Sequence, residues 1–227
     1  MNLRPTITMA NHGEDRTYKI TAAVIIVALI AGVAVYGSYL PMRKAQMFIA
    51  TLQGLQTNPA TSLQDLETRL ATPLNYPSPI GQEELVRNMA NSVLAFVQQS
   101  PNASSTAALV GFLNQYYDPI LNYGRGMSFG QDLYLEGAIN EIAFATTGNP
   151  SYLQAAQKWY SEAVADGPNR PQALYGLFDV YRAAGNTSGT IAIGERILKN
   201  WPTDTQVQQA MQQYLQFQTS TATSTGK

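Results

Sequence analysis

The chain has 227 residues, 45% hydrophobic and only 13% charged, with 14 basic against 15 acidic side chains and a formal net charge of -1. That balance disfavours a nucleic-acid binder, which normally carries a basic excess. There is no cysteine and His12 is the only histidine, which excludes disulfides, thiolate metal sites, cysteine nucleophiles and metal sites built on two or three histidines of one chain, and disfavours a histidine-based triad.

The first element is an anchor. Ile20 to Leu40 is a run of 21 residues without a charge. As a helix it spans about 31 Å, which matches a hydrocarbon core of roughly 30 Å. Lys19 marks one end, and Pro41, Arg43 and Lys44 mark the other. Tyr36 and Tyr39 stand where interfacial aromatics belong. Ala28 and Gly32 form a small-xxx-small pair on which a second helix could pack. A cleaved leader normally has a shorter apolar region and a small-x-small site. The run is too long for that, so an uncleaved single-pass segment is expected, preceded by a short polar tail over residues 1–19. Arg4, Arg16 and Lys19 before the run outnumber Arg43 and Lys44 just after it. The positive-inside rule then favours a cytoplasmic N-terminus and an extracytoplasmic C-terminal domain.

The rest reads as helix after helix. Ala45, Phe48, Ile49, Leu52 and Leu55 share one helix face, in a helix that resumes after a break at Pro41. Ser62, with Asp65 three residues on, suits a helix start. Residues 72–79 are expected to be irregular, because proline cannot donate into a helix and restricts its predecessor. Leu85, Met89, Val93 and Phe96 form the next stripe, ended by Ser100-Pro101-Asn102. Leu109, Phe112, Leu113 and Tyr116 form another, which Pro119 should terminate. Gly124, Gly126 and Gly130 read as a turn. No strand-like alternation extends beyond a few residues. The predicted class is all-α, with a degenerate helical region over 41–122, a repeat region with a capping helix over 123–218 and a disordered tail over 219–227.

The C-terminal third is periodic. Pro168 and Pro202 lie 34 residues apart. In windows numbered from Gly137 and Pro171, Ala156, Tyr160 and Ala163 take positions 20, 24 and 27 of the first. Leu174, Leu177 and Tyr181 take positions 4, 7 and 11 of the second. These are positions at which tetratricopeptide repeats pack their two helices, and residues 135–218 resemble that family. Phe144 and Phe178 depart from its small position 8. Thr190 and Gly194 depart at positions 20 and 24 of the second window. The resemblance implies a concave groove lined by positions 2, 5, 9 and 12 of each first helix. Carried onto this chain, the candidate partner-binding residues are Glu141, Gln172, Tyr175, Asp179 and Arg182. A weaker likeness, an anchor followed by a repeat containing Pro168-Asn169-Arg170-Pro171, is similar to the C-terminal part of bacterial O-antigen ligase or polymerase-like membrane proteins. No catalytic residue transfers from it.

No catalytic, cofactor or metal constellation emerges. Glu83 and Glu84 suit a helix start, where negative charge meets the helix dipole. Glu136 and Glu141 fall on different helix faces. Asn11-His12-Gly13-Glu14-Asp15 reads as a solvated tail. Asn102-Ala103-Ser104 and Asn186-Thr187-Ser188 match a glycosylation acceptor pattern that recurs by chance in such compositions. The expectation is a non-catalytic, membrane-anchored helical-repeat scaffold in a cell envelope, without cofactor, that binds a protein partner or stabilises a membrane complex. The alternatives are an accessory segment of a glycan ligase or polymerase system, and a self-assembling structural subunit of a filament or envelope layer.

Overall fold

A computed structural model of the chain describes residues 12–99, 102–126 and 128–224. Arg4, Asn11, Ser100, Pro101 and residues 225–227 lie outside these, as do the side chains of His12, Glu14 and Asp15. Among the described residues every regular element is a helix, and the chain falls into two compact units. The first holds the chain up to Thr61 together with residues 68–82. The second holds residues 62–67 and the chain from Glu83 onward.

In the first unit, α1 (His12–Ala34) passes through a π-helical turn (Val35–Tyr39) into α2 (Leu40–Thr57). The break expected at Pro41 does not occur. In a regular α-helix the Pro41 ring would collide with the carbonyl four residues back, and its missing N–H would leave that carbonyl idle. The π turn just before it widens the ring of bonded atoms and takes up the defect. Leu40 N–H accordingly donates to Val35 O, five residues back. The result is one rod about 70 Å long at 1.5 Å per residue. From Arg16 it is long and apolar enough, by length and composition, to cross a membrane. Its apolar side chains lie open, with Val24 63%, Leu29 64% and Val33 72% exposed.

On α2, Lys44 and Phe48 are buried one turn apart, with Leu52 and Leu55 half-buried below them, while Ile49 is exposed. The Lys44 ammonium has three hydrogens and three acceptors: Leu74 O at 3.1 Å, Tyr76 O at 2.9 Å and Gln82 Oε1. Leu74 is the last residue of α3 (Leu63–Leu74). A cation on carbonyls at a helix C-terminus is favourable. Pro73 lies inside the last turn of α3, so irregular chain begins at residue 75, three residues later than expected. At the start of α3, Asp65 N–H donates to Ser62 Oγ at 3.1 Å, the capping contact expected there.

The second unit contains α4 (Gln82–Gln99), α5 (Ala103–Tyr123), α6 (Phe129–Thr147), α7 (Pro150–Asp166), α8 (Pro171–Ala183), α9 (Thr187–Asn200) and α10 (Thr205–Ser224). From α5 onward each helix packs on the next, and α6 also reaches α8. Asparagine caps open three of them. Asn102 Oδ1 accepts from Ser105 N–H at 3.0 Å, Asn149 Oδ1 from Ser151 N–H at 3.0 Å and Asn186 Oδ1 from Gly189 N–H at 2.9 Å. Two of the three are the asparagines of the glycosylation-like triplets, whose role in the fold is capping. Pro119 does not end α5, which continues to Tyr123 and stops at Gly124, where φ is 68°. A left-handed residue ends a helix at little cost only when it is glycine. Of the expected glycine turn, Gly130 already belongs to α6.

Glycines set the spacing of the helices from α6 to α10. The Tyr160 ring of α7 is buried between α6 and α8. A Cβ added at Gly137 would lie 2.6 Å from the ring, and one at Gly176 would lie 2.3 Å from it. The Tyr160 hydroxyl donates to Glu141 Oε2 at 2.7 Å. Ala156, Ala163, Leu174, Leu177 and Ile197 are buried around it. The departures from the family pattern compensate one another. A Cβ at Gly194 would fall 2.4 Å from Met211 Sδ and 3.1 Å from the Phe178 ring. The large Phe178 and the absent side chain at Gly194 therefore share one space.

Candidate functional site

The expected groove residues sit on or beside α8, and several are committed within the fold. Gln172 and Asp179 are exposed. Arg182 pairs with Asp179 at 3.0 Å and lies over the Phe178 ring, its Cζ 5.4 Å from the centroid. Tyr175 donates its hydroxyl to Asp204 and stands 6.1 Å from the Trp201 ring. The Asp204 carboxylate is thereby held below its ordinary range. Its other oxygen caps α10, accepting from Val207 N–H at 3.0 Å. Tyr175 is thus a strut to the start of α10, and its hydroxyl is not available to a partner. Glu141 is half-buried, with one oxygen engaged by Tyr160. Burial pushes its carboxyl above the usual range. Gln172, Asp179 and Arg182 remain as the outward-facing part of the set.

Ala28 and Gly32 lie on the open rod. A Cβ at Gly32 would meet nothing within 4 Å, so that face has room for another helix.

The densest electrostatic feature was not anticipated from sequence. Asp132, Glu136 and Asn140 recur every four residues along α6 and are all buried. Asp132 is 0% and Glu136 3% exposed. Arg87 of α4 reaches across to this stripe. Its Nε donates to Asp132 Oδ1 at 3.0 Å, its Nη2 to Glu83 Oε1 at 2.9 Å and its Nη1 to Glu84 Oε2 at 3.3 Å. Asn140 Nδ2 donates to Glu136 Oε1 at 3.1 Å and to Glu136 O at 2.8 Å. The Asn114 amide, oriented to satisfy both its ends, donates to Glu136 Oε1 at 3.2 Å.

Burial pushes the Glu136 carboxyl up to about 7, against the opposing hydrogen bond from Asn140. Burial also raises Asp132, while Arg87 pulls it down and Glu83 pushes it further up. Tyr117 is raised by burial first, then by the charges of Asp132 and Glu136. Its hydroxyl, Asp132 Oδ2 and Glu136 Oε2 have no hydrogen-bond partner. Carboxyls held near neutral pH in low dielectric are candidates for chemistry. These are buried in the helix stack, however, with Asp132 lying behind the Arg87 guanidinium. The nearby cavity, lined by Val97, Thr106 and Ile139 among others, holds about 10 Å³, whereas small-molecule pockets run to roughly 300 Å³ or more. Burial of these carboxyls bears on stability, because ionising a group there is costly. The trace of the stripe in the sequence is the polar i, i+4, i+8 series Asp132, Glu136 and Asn140 in a largely apolar helix.

Among the described residues no group of three or more acidic or histidine side chains is placed to hold a metal ion. In comparisons with known proteins, no family model, curated protein or solved structure matches the chain.

Proposed function

We propose that the chain is a membrane-anchored helical scaffold, held by residues 20–40, whose stacked helices α6–α10 present a tetratricopeptide-like surface to a protein partner outside the cytoplasm. The observation that carries this reading is the exposure of the apolar run. A stretch of 21 residues with every large side chain from Ile20 to Tyr39 open would be strongly unfavourable in water, at about 25 cal/mol per Å² of apolar surface. In hydrocarbon the same helix has all its backbone groups paired internally. Support for the repeat reading comes from the packing of α6 on both α7 and α8, with Tyr160 wedged between paired glycines. In helix–turn–helix arrays each unit buries its face only by stacking on the next.

The outward residues Gln172, Asp179 and Arg182 lie on one face of α8. Arginine is enriched at interface hot spots. The test is photocrosslinking from Gln172 and Asp179 in native membranes. The reading expects one discrete adduct at both positions, and loss of the adduct from position 172 in an Asp179→Arg, Arg182→Glu variant that melts like the parent. Only self-adducts would favour a self-assembling subunit, and adducts insensitive to the variant would place the binding surface elsewhere.

A further inference from the structure

We infer that the uncharged loop Pro77-Ser78-Pro79-Ile80 is a second membrane contact, seated in the headgroup and acyl boundary beside the anchor. This rests on the reading of residues 20–40 as membrane-spanning. The first observation is position. Lys44 lies four residues past Leu40, about 6 Å along the rod. Helical side chains lean toward the N-terminus, so its ammonium points back toward the end of the span. That ammonium holds both flanks of the loop, through Tyr76 O at 2.9 Å on one side and Gln82 Oε1 on the other. The flanks of the loop are thereby tied to the second turn of α2, close to the end of the apolar run. Tyr36 and Tyr39 are exposed nearby along the chain, as interfacial aromatics are.

The second observation is chemistry. No charged residue occurs between Arg69 and Glu83. Ile80 stands 60% exposed at the loop tip. Backbone groups are costly to take out of water unless bonded, and this loop has few to lose. Pro77 and Pro79 have no N–H. Ile80 N–H donates to Ser78 Oγ at 3.4 Å, and Ser78 Oγ–H donates to Ile80 O at 2.7 Å. The Ser78 hydroxyl thus serves both backbone groups of the residue that projects. An exposed isoleucine with its own polar groups satisfied suits the boundary of a bilayer, where apolar faces sink about 5–10 Å.

The native chain has no cysteine, so single cysteines report cleanly. The full chain is reconstituted in phosphatidylcholine vesicles and labelled with an environment-sensitive fluorophore at Ile80→Cys, at Val27→Cys in the anchor or at Gln53→Cys on exposed α2, about 13 Å past Lys44. Quenching by lipids brominated near the headgroup or near the chain end reads depth. The proposal expects a blue shift and shallow quenching at 80, deep quenching at 27 and neither at 53. Deep quenching at 27 with a water-like, unquenched probe at 80 overturns the loop contact and leaves the anchor standing. Unquenched probes at both 27 and 80 overturn the anchor and the loop contact with it. Equal shallow quenching at 53 and 80 shows that α2 lies on the membrane as a whole, which also overturns the proposal.

Discussion

Glu136→Gln is the sharpest perturbation of the buried stripe. In the folded chain burial holds this carboxyl at about 7, against an ordinary value of 4.5. Between those values the native state keeps a proton that the unfolded chain releases. Stability is then fully present at low pH and falls as pH rises through the folded value. At 1.36 kcal/mol per pH unit, the loss on the alkaline side amounts to about 3 kcal/mol. Asp132 and Glu141 are also raised by burial and act with the same sign. Asp204 is lowered and acts with the opposite sign, so the parent's profile alone is a mixture. The difference between parent and variant isolates position 136. Glutamine carries no charge, and its carbonyl still accepts from Asn140 and Asn114. Urea unfolding of the full chain in mild detergent, followed by Trp159 and Trp201 fluorescence, should give near-equal stabilities at about pH 4. By about pH 8 the variant should be more stable by up to about 3 kcal/mol. Parallel profiles across that range would refute the argument that Glu136 is ionised at a cost inside the stack.

Further outcomes follow from packing and capping. Gly176→Ala should lose about 1–3 kcal/mol from forcing a methyl into the Tyr160 ring, partly offset by up to about 1 kcal/mol of helix propensity. Gly111→Ala, where an added Cβ meets nothing within 4 Å, should show only that gain, so urea midpoints moving in opposite directions check the glycine argument. Leu177→Ala should cost about 2–5 kcal/mol in the same assay, since Leu177 is buried. Asn186→Ala should cost about 1 kcal/mol by removing the acceptor for Gly189 N–H at the start of α9.

Much of the fold was legible because helix periodicity is a local signal. The apolar run, the Ser62 cap, the stripe through Leu109 and Leu113, and the inward places of Ala156, Tyr160, Ala163, Leu174 and Leu177 all depend on spacing within one helix. What spacing could not show was compensation between helices. Phe178 and Gly194 each depart from the repeat pattern, and only the fold shows them sharing one space. Prolines misled for a related reason. Pro119 and Pro41 both lie within continuous helix; at Pro41 a neighbouring π turn absorbs the missing bond, and that depends on geometry the residue type does not encode. The groove residues were placed by position in a repeat, which says nothing of where a hydroxyl finds its acceptor. Tyr175 meets Asp204 and Glu141 meets Tyr160 across separations of 29 and 19 residues. Lys44 was counted as a flanking charge, yet its three acceptors come from a segment thirty or more residues away.

The most direct test of the account is maleimide access to single cysteines along the rod in sealed native membranes. Positions Val24, Ala28 and Gly32 should resist a small, membrane-impermeant maleimide until detergent is added, while Gln209→Cys on exposed α10 should react from one side of the membrane without it. Reaction at 24, 28 and 32 in sealed membranes from either side, at the rate seen for 209, would contradict a membrane-spanning helix and with it the anchored scaffold.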